Sequence, residues 1–179
     1  MVIACLGWGS LCWDPRSLPI AGEWNQDGPY LPVEFSRVSS DGRITLVLTE
    51  GAIPVQVLWV PLAVDTLEQA IAALAEREGV KRLNAIGRVV TTAAARAEHA
   101  VVQSWAISRG ISGVVWTALK PGLDKGSRGT IPSLDQLREQ IERLSPEARA
   151  AALDYVVRAP LQVETRLRST LQGLLESGS

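Results

Sequence analysis

Cysteine is scarce in this 179-residue chain, with Cys5 and Cys12 the only two. One bridge would be a thin framework at this length, and the pair lacks metal-ligand spacing, so neither a disulfide scaffold nor a structural metal site is expected. Two buried thiols in a reducing cytoplasm fit better. No stretch approaches about 18 continuous apolar residues, so none reads as a membrane span. The apolar start is broken by Gly7 and Gly9 and lacks a basic leader, unlike a secretory signal. The formal net charge is -1 and no basic run occurs, which leaves no electrostatic footprint for nucleic acid or an anionic membrane. Internal repeats and low-complexity tracts are also missing. The expectation is a cytoplasmic protein whose partner is a small molecule or another protein.

What is present is an ordinary globular composition, 46% hydrophobic and 21% charged. A domain of this size buries roughly two-thirds of its unfolded surface, enough to fold unaided. Val2–Leu6 reads as a buried strand, and the proline-containing segment Trp13–Pro32 as a long loop. Pro32–Ser39, Ile44–Thr49 and Val55–Leu62 read as strands with short links, hence an antiparallel meander. A helix is expected over Thr66–Glu78, capped by Asp65 or Thr66 and stopped by Gly79. Ile86–Thr92 and Gly113–Leu119 read as strands on either side of an alanine-rich helix, Ala93–Arg109. After the glycine-rich connector Lys120–Pro132, helices are expected from Ser133, from Ser145-Pro146, and over Val163–Glu176. The fold class is α+β, with residues 1–119 as one domain and 120–179 as a connector and helical extension packed on it. The stripe Leu134, Leu137, Ile141 and Leu144 either packs on the first domain or makes a dimer surface, so a monomer and a homodimer are both open.

Two features could carry chemistry. The first is LGWGSL, Leu6–Leu11, where a strand ends in glycines. Successive N–H groups without side chains in the way suit an anion such as a carboxylate. A tight turn with a tryptophan packed beneath it is the alternative. The stretch lacks the third glycine of a dinucleotide fingerprint and the Lys-Ser/Thr of a phosphate loop. The second is Glu78. At about 100° per residue it shares a stripe with Leu67, Ile71 and Leu74, whereas Glu76 lies on the far side. An inward carboxylate at a helix C-terminus is expected to have a raised pKa, suited to a general acid/base. A frayed last turn that releases Glu78 to water is the alternative. His99, beside Glu98, has no periodic partner and reads as a surface residue. Ser10 lacks a nucleophile-elbow glycine and an evident base. Lys125 and Arg128 read as a solvated pair.

Together, the loop and the glutamate resemble the γ-glutamylcyclotransferase-like superfamily, including its ChaC-type branch. Its members open with a strand and a YGSL or YGSN loop, often extended as YGSLMWNP; here the stretch is WGSLCWDP, Trp8–Pro15. A helix ending in an essential glutamate follows, commonly within RE or EGV; here it is REGV, with Glu78. PVEFSRVSS, RITLVLTEG and PVQVLWVPL look like the family's strands, and the resemblance covers Val2 to about Leu119. It implies a small, mixed, largely antiparallel β-barrel with flanking helices. It implies a substrate-binding loop at Gly7, Trp8, Gly9, Ser10 and Leu11, with Glu78 catalytic. The implied reaction cyclises a γ-glutamyl amine or peptide, glutathione among them, to 5-oxoproline without metal or organic cofactor. Two positions depart from the pattern: Trp8 replaces the loop tyrosine, and Val80–Gly87 holds none of the tyrosine that usually follows the glutamate. They point to a different γ-glutamyl substrate or leaving amine, or to a non-catalytic member that binds a small carboxylate or a partner protein.

Overall fold

The computed structural model describes residues 1–94 and 96–177. Its strands there are β1 (Ile3–Gly7), β2 (Tyr30–Leu31), β3 (Val33–Val38), β4 (Ile44–Leu48), β5 (Val55–Gln56), β6 (Leu58–Pro61), β7 (Ile86–Val90) and β8 (Gly113–Thr117). The α-helices are α1 (Leu67–Glu78), α2 (Ala100–Ser108), α3 (Leu134–Glu142), α4 (Pro146–Arg158) and α5 (Arg168–Glu176). The α+β class therefore stands. The chain divides into two compact units, residues 1–31 with 56–119 and residues 32–55 with 120–179.

The first unit is built on a four-stranded sheet in the order β6-β1-β8-β7. β1 runs antiparallel to β6, with Ala4 opposite Pro61, and parallel to β8, with Cys5 opposite Val115. β7 closes the other side antiparallel to β8, Ile86 opposite Thr117. The continuous apolar runs of β1 and β8 suit central strands, whose every residue from Ile3 to Gly7 is buried. Ala70, Ile71 and Leu74 of α1 join Ile3, Cys5, Val60, Ile86 and Val115 in one core. Fully burying one such large aliphatic side chain contributes about 1.5–3 kcal/mol. Among the described residues no sheet closes into a barrel. Nor do the three middle strands form one meander, because Val55–Leu62 is interrupted at Val57 and only β6 enters the four-stranded sheet. The alanine-rich helix is shorter than expected: a 3-10 turn at Ala97–His99 leads into α2, and Ala95 lies outside the described residues.

In the second unit, β3 and β4 form an antiparallel hairpin with a register shift between Phe35 and Arg37. Its turn uses Gly42 at φ +87, a conformation that favours glycine. The irregular strand is completed by the connector, since Gly122 donates to Ser36 O at 2.8 Å and its own carbonyl accepts from Val38 at 3.1 Å. Arg128 bonds Gly122 O and also Val38 O at 2.8 Å, so it is a fastening and not a solvated charge. Leu46 N donates to the Tyr155 hydroxyl of α4 at 3.3 Å, and Leu167 N to the Glu34 carboxylate at 3.3 Å. These bonds group residues 32–55 with the C-terminal segment, where sequence reading put them in the first 119 residues. Ser133 and Ser145 cap α3 and α4 as expected. The last helix starts at Arg168, whose side chain turns back onto the end of α4 and the chain after it, donating to the carbonyls of Val157, Ala159, Pro160 and Val163.

Leu137 and Ile141 are fully buried, so these two positions of the α3 stripe are core, while Leu134 and Leu144 are partly exposed. Leu137→Ala should cost about 2–5 kcal/mol in urea denaturation. Sedimentation should remain unchanged; a shift in sedimentation with stability preserved would identify an intermolecular stripe.

Candidate functional site

β1 delivers the chain into a 3-10 turn, Ser10–Cys12, with Gly9 at its start. Cys12 N donates to Gly9 O at 2.9 Å and Asp14 N to Ser10 O at 2.8 Å. The N–H groups of Ser10 and Leu11 precede the first of these bonds and have no partner inside the turn. Trp8 and Leu11 are both buried, at 5% exposure. The loop is thus a tight turn next to a buried tryptophan, the first of the two readings its sequence allowed. Gly7 is required by close approach: a Cβ there would lie 2.6 Å from the Trp24 ring and 2.9 Å from Cys12 Sγ.

Helix α1 starts at a reciprocal capping box between Thr66 and Gln69. It ends without fraying. Gly79 adopts φ +64, its N–H meets Glu76 O at 3.0 Å, and Val80 N meets Ala75 O at 3.0 Å, the two bonds of a Schellman cap. The helix is therefore regular through Glu78, and the side chain is only 15% exposed. The carboxylate does not stand alone, as the desolvation argument from sequence assumed. Arg77 Nη1 lies 2.6 Å from Glu78 Oε1.

Arg77 is what the sequence reading overlooked. Its side chain is 5% exposed, and its donors spread over both features. Nε and Nη2 donate to Asp14 O at 3.2 and 2.6 Å, and Nη2 reaches Ser10 Oγ at 3.3 Å. Arg16, at φ +52, returns a bond from Nη1 to Arg77 O at 3.5 Å. The guanidinium thereby joins the end of α1 to the loop after β1. A signal existed in the sequence: Arg77 follows Ala70 and Leu74 at helical spacing, i+7 and i+3 on the buried face.

His99 is not among the groups that Arg77 joins. His99 packs edge-on against Trp116 at 5.0 Å, with Glu98 3.7 Å away. Burial pushes the Cys12 thiol up to about 12, opposed by the charge of Arg77. Burial raises Cys5 further, aided by Cys12 and Glu78. Neither is a thiolate at neutral pH, so neither is a nucleophile. Among the described residues no three or more His, Cys, Asp or Glu gather as a metal-binding group. No helix there is long and apolar enough to cross a membrane. Compared with protein-family models and with curated proteins, the chain finds no match.

Two measurements test this packing. Gly7→Ala should cost about 1–3 kcal/mol by overpacking. Gly173→Ala, on the exposed side of α5 with nothing within 4 Å, should instead stabilise by about 0.5–1 kcal/mol. Equal effects of the two on urea midpoints would contradict the close approach at Gly7. The thiols give a pH test. Cys12 is raised from an ordinary 9.0 in the folded chain, so the unfolded chain loses this proton first. Stability is then complete below pH 9 and declines as pH rises from 9 towards 12. Cys12→Ala should lessen that decline in unfolding curves above about pH 9, with the remainder due to the more strongly raised Cys5.

Proposed function

We infer that the chain is a γ-glutamylcyclotransferase-like enzyme that converts a γ-glutamyl amine or peptide to 5-oxoproline with release of the amine. One observation carries the reading. The two features that resemble the family, the WGSL loop and the glutamate of REGV, are tied together by Arg77, with Ser10 Oγ 3.3 Å and Glu78 Oε1 2.6 Å from its guanidinium. In this reading the four-stranded sheet of the first unit belongs to the family's barrel. The free thiols Cys5 and Cys12 favour a reducing, cytoplasmic compartment.

The chemistry needs one proton carrier. A substrate α-ammonium, of pKa about 8, must lose a proton to become a nucleophile. The Glu78 carboxylate takes it, and the amine nitrogen attacks the γ-carbonyl carbon of the same molecule. Charge develops on the carbonyl oxygen, where the N–H groups of Ser10 and Leu11 are suited to receive it. Glu78 gives its proton to the departing nitrogen as the bond from that carbon breaks, then takes the second proton from the ring nitrogen, leaving the neutral lactam, and passes it to the released amine, which departs as an ammonium. Because ring closure is intramolecular, holding the substrate folded supplies much of the remaining acceleration.

Purified protein is expected to release 5-oxoproline from glutathione, a γ-glutamyl dipeptide or a γ-glutamyl alkylamine. Glu78→Gln should lower that release by at least about 100-fold. Its amide oxygen can still accept from Arg77, but the guanidinium loses its charged partner, so a lowered melting temperature with the fold retained is expected, and activity is compared well below that temperature. Full activity in Glu78→Gln would sink the assignment. A second reading, a non-catalytic member that binds a small carboxylate or a partner protein, is favoured by the ion pair that occupies Glu78 Oε1 and by the burial of Trp8. Calorimetric binding of 5-oxoproline without turnover, indifferent to Glu78→Gln, would select it.

A further inference from the structure

A buried guanidinium offers five N–H donors in one rigid plane. At Arg77 these are divided between partners of different origin. Asp14 O and Ser10 Oγ belong to the loop after β1, and Glu78 Oε1 belongs to the last turn of α1. An ammonium could not span all three, since its donors radiate from one atom. The carboxylate is engaged through Oε1, so proton transfer falls to Oε2. Rotation of the Glu78 side chain is restrained by the same group that sets the loop.

We propose that Arg77 is the positioning residue of this site, holding the Glu78 carboxylate and the Ser10–Asp14 loop as one unit so that proton acceptor and loop amides keep a fixed separation. The inference rests on the acid/base reading of Glu78. It assigns Arg77 no contact with the reacting atoms.

The test has an arm that needs no activity. In Arg77→Met, amide hydrogen exchange at residues 10–16 should accelerate by at least about tenfold, while Ile71–Ala75 in the middle of α1 keep their protection. Arg77→Lys keeps a cation beside Glu78 and serves if Arg77→Met does not fold; it should show the same local acceleration. In the activity arm, Arg77→Lys should lower kcat by about 10–100-fold with KM changed less than about threefold, the pattern of a misplaced group rather than lost substrate contacts. Unaltered exchange at residues 10–16 would overturn the proposal. So would accelerated exchange with kcat within twofold of the parent protein, because the tie would then have no bearing on Glu78. If the parent protein releases no 5-oxoproline, the acid/base reading fails by itself, and the exchange arm still decides whether Arg77 joins loop and helix end.

Discussion

A guanidinium 5% exposed at the end of a helix is the constraint around which the first unit is arranged. Burying such a charge without partners is prohibitive, so every arrangement of the surrounding chain must supply acceptors. Here they come from three places: the carbonyl of Asp14, the hydroxyl of Ser10 and the carboxylate of Glu78. Each also has local support besides its bond to Arg77. Asp14 and Ser10 are set by the 3-10 turn, whose position follows from β1 at the centre of the sheet. Glu78 is set by the Schellman cap, which keeps α1 regular to its last residue. Convergence of loop and helix end is thus a requirement of charge burial as well as of apolar packing.

The unit meets the same difficulty differently at its surface. Asp27 accepts from Trp59 Nε1 at 2.7 Å and pairs with Arg109 at 2.7 Å, while its backbone oxygen accepts from Trp105 at 3.0 Å. The indole hydrogen bond is the foremost cause that holds its carboxyl below the ordinary aspartate range, joined by the Arg109 charge. That cluster is half-exposed, so its charges are screened and its contribution to stability is modest. Around Arg77 no comparable screening is available. Removing one partner there leaves another charge stranded, and the two sites should differ sharply in sensitivity to substitution.

Local signals in the sequence proved readable because their physics is local. Thr66 with Gln69, Ser133 with Gln136, Ser145 with Pro146, and Gly79 all act within one turn of helix, and each does in the structure what its chemistry implies. Helical periodicity placed Glu78 on the apolar stripe, and its side chain is 15% exposed. Pairings between distant segments were not readable. Nothing near β6 specifies that it will lie along β1, or that β8 will run parallel to β1 on the other side. Residues 32–55 looked like a continuation of the strands after them, yet Glu34, Ser36 and Val38 bond to residues beyond 120. Arg77 escaped because arginine is ordinarily a surface residue, and its burial makes sense only once the acceptors from Ser10 and Asp14 are in place.

The ion pair bears on function through what folding alone would prefer. A buried pair is weak support for stability, because well-packed apolar residues of similar volume commonly do as well or better. At the end of α1, positions 77 and 78 adjoin a core of Leu74, Ala75 and Leu11 that apolar side chains could extend. The chain instead places there a carboxylate that keeps 15% of its side chain exposed, beside a loop whose first amides are not used by its own turn. Packing accounts for Trp8, Gly7 and the turn. It does not account for Glu78. A carboxylate kept partly accessible and fixed by a charge-assisted bond to the guanidinium that also holds the loop is suited to carrying a proton to and from a substrate amine, and this surplus over the needs of folding is the physical ground for the proposed cyclisation.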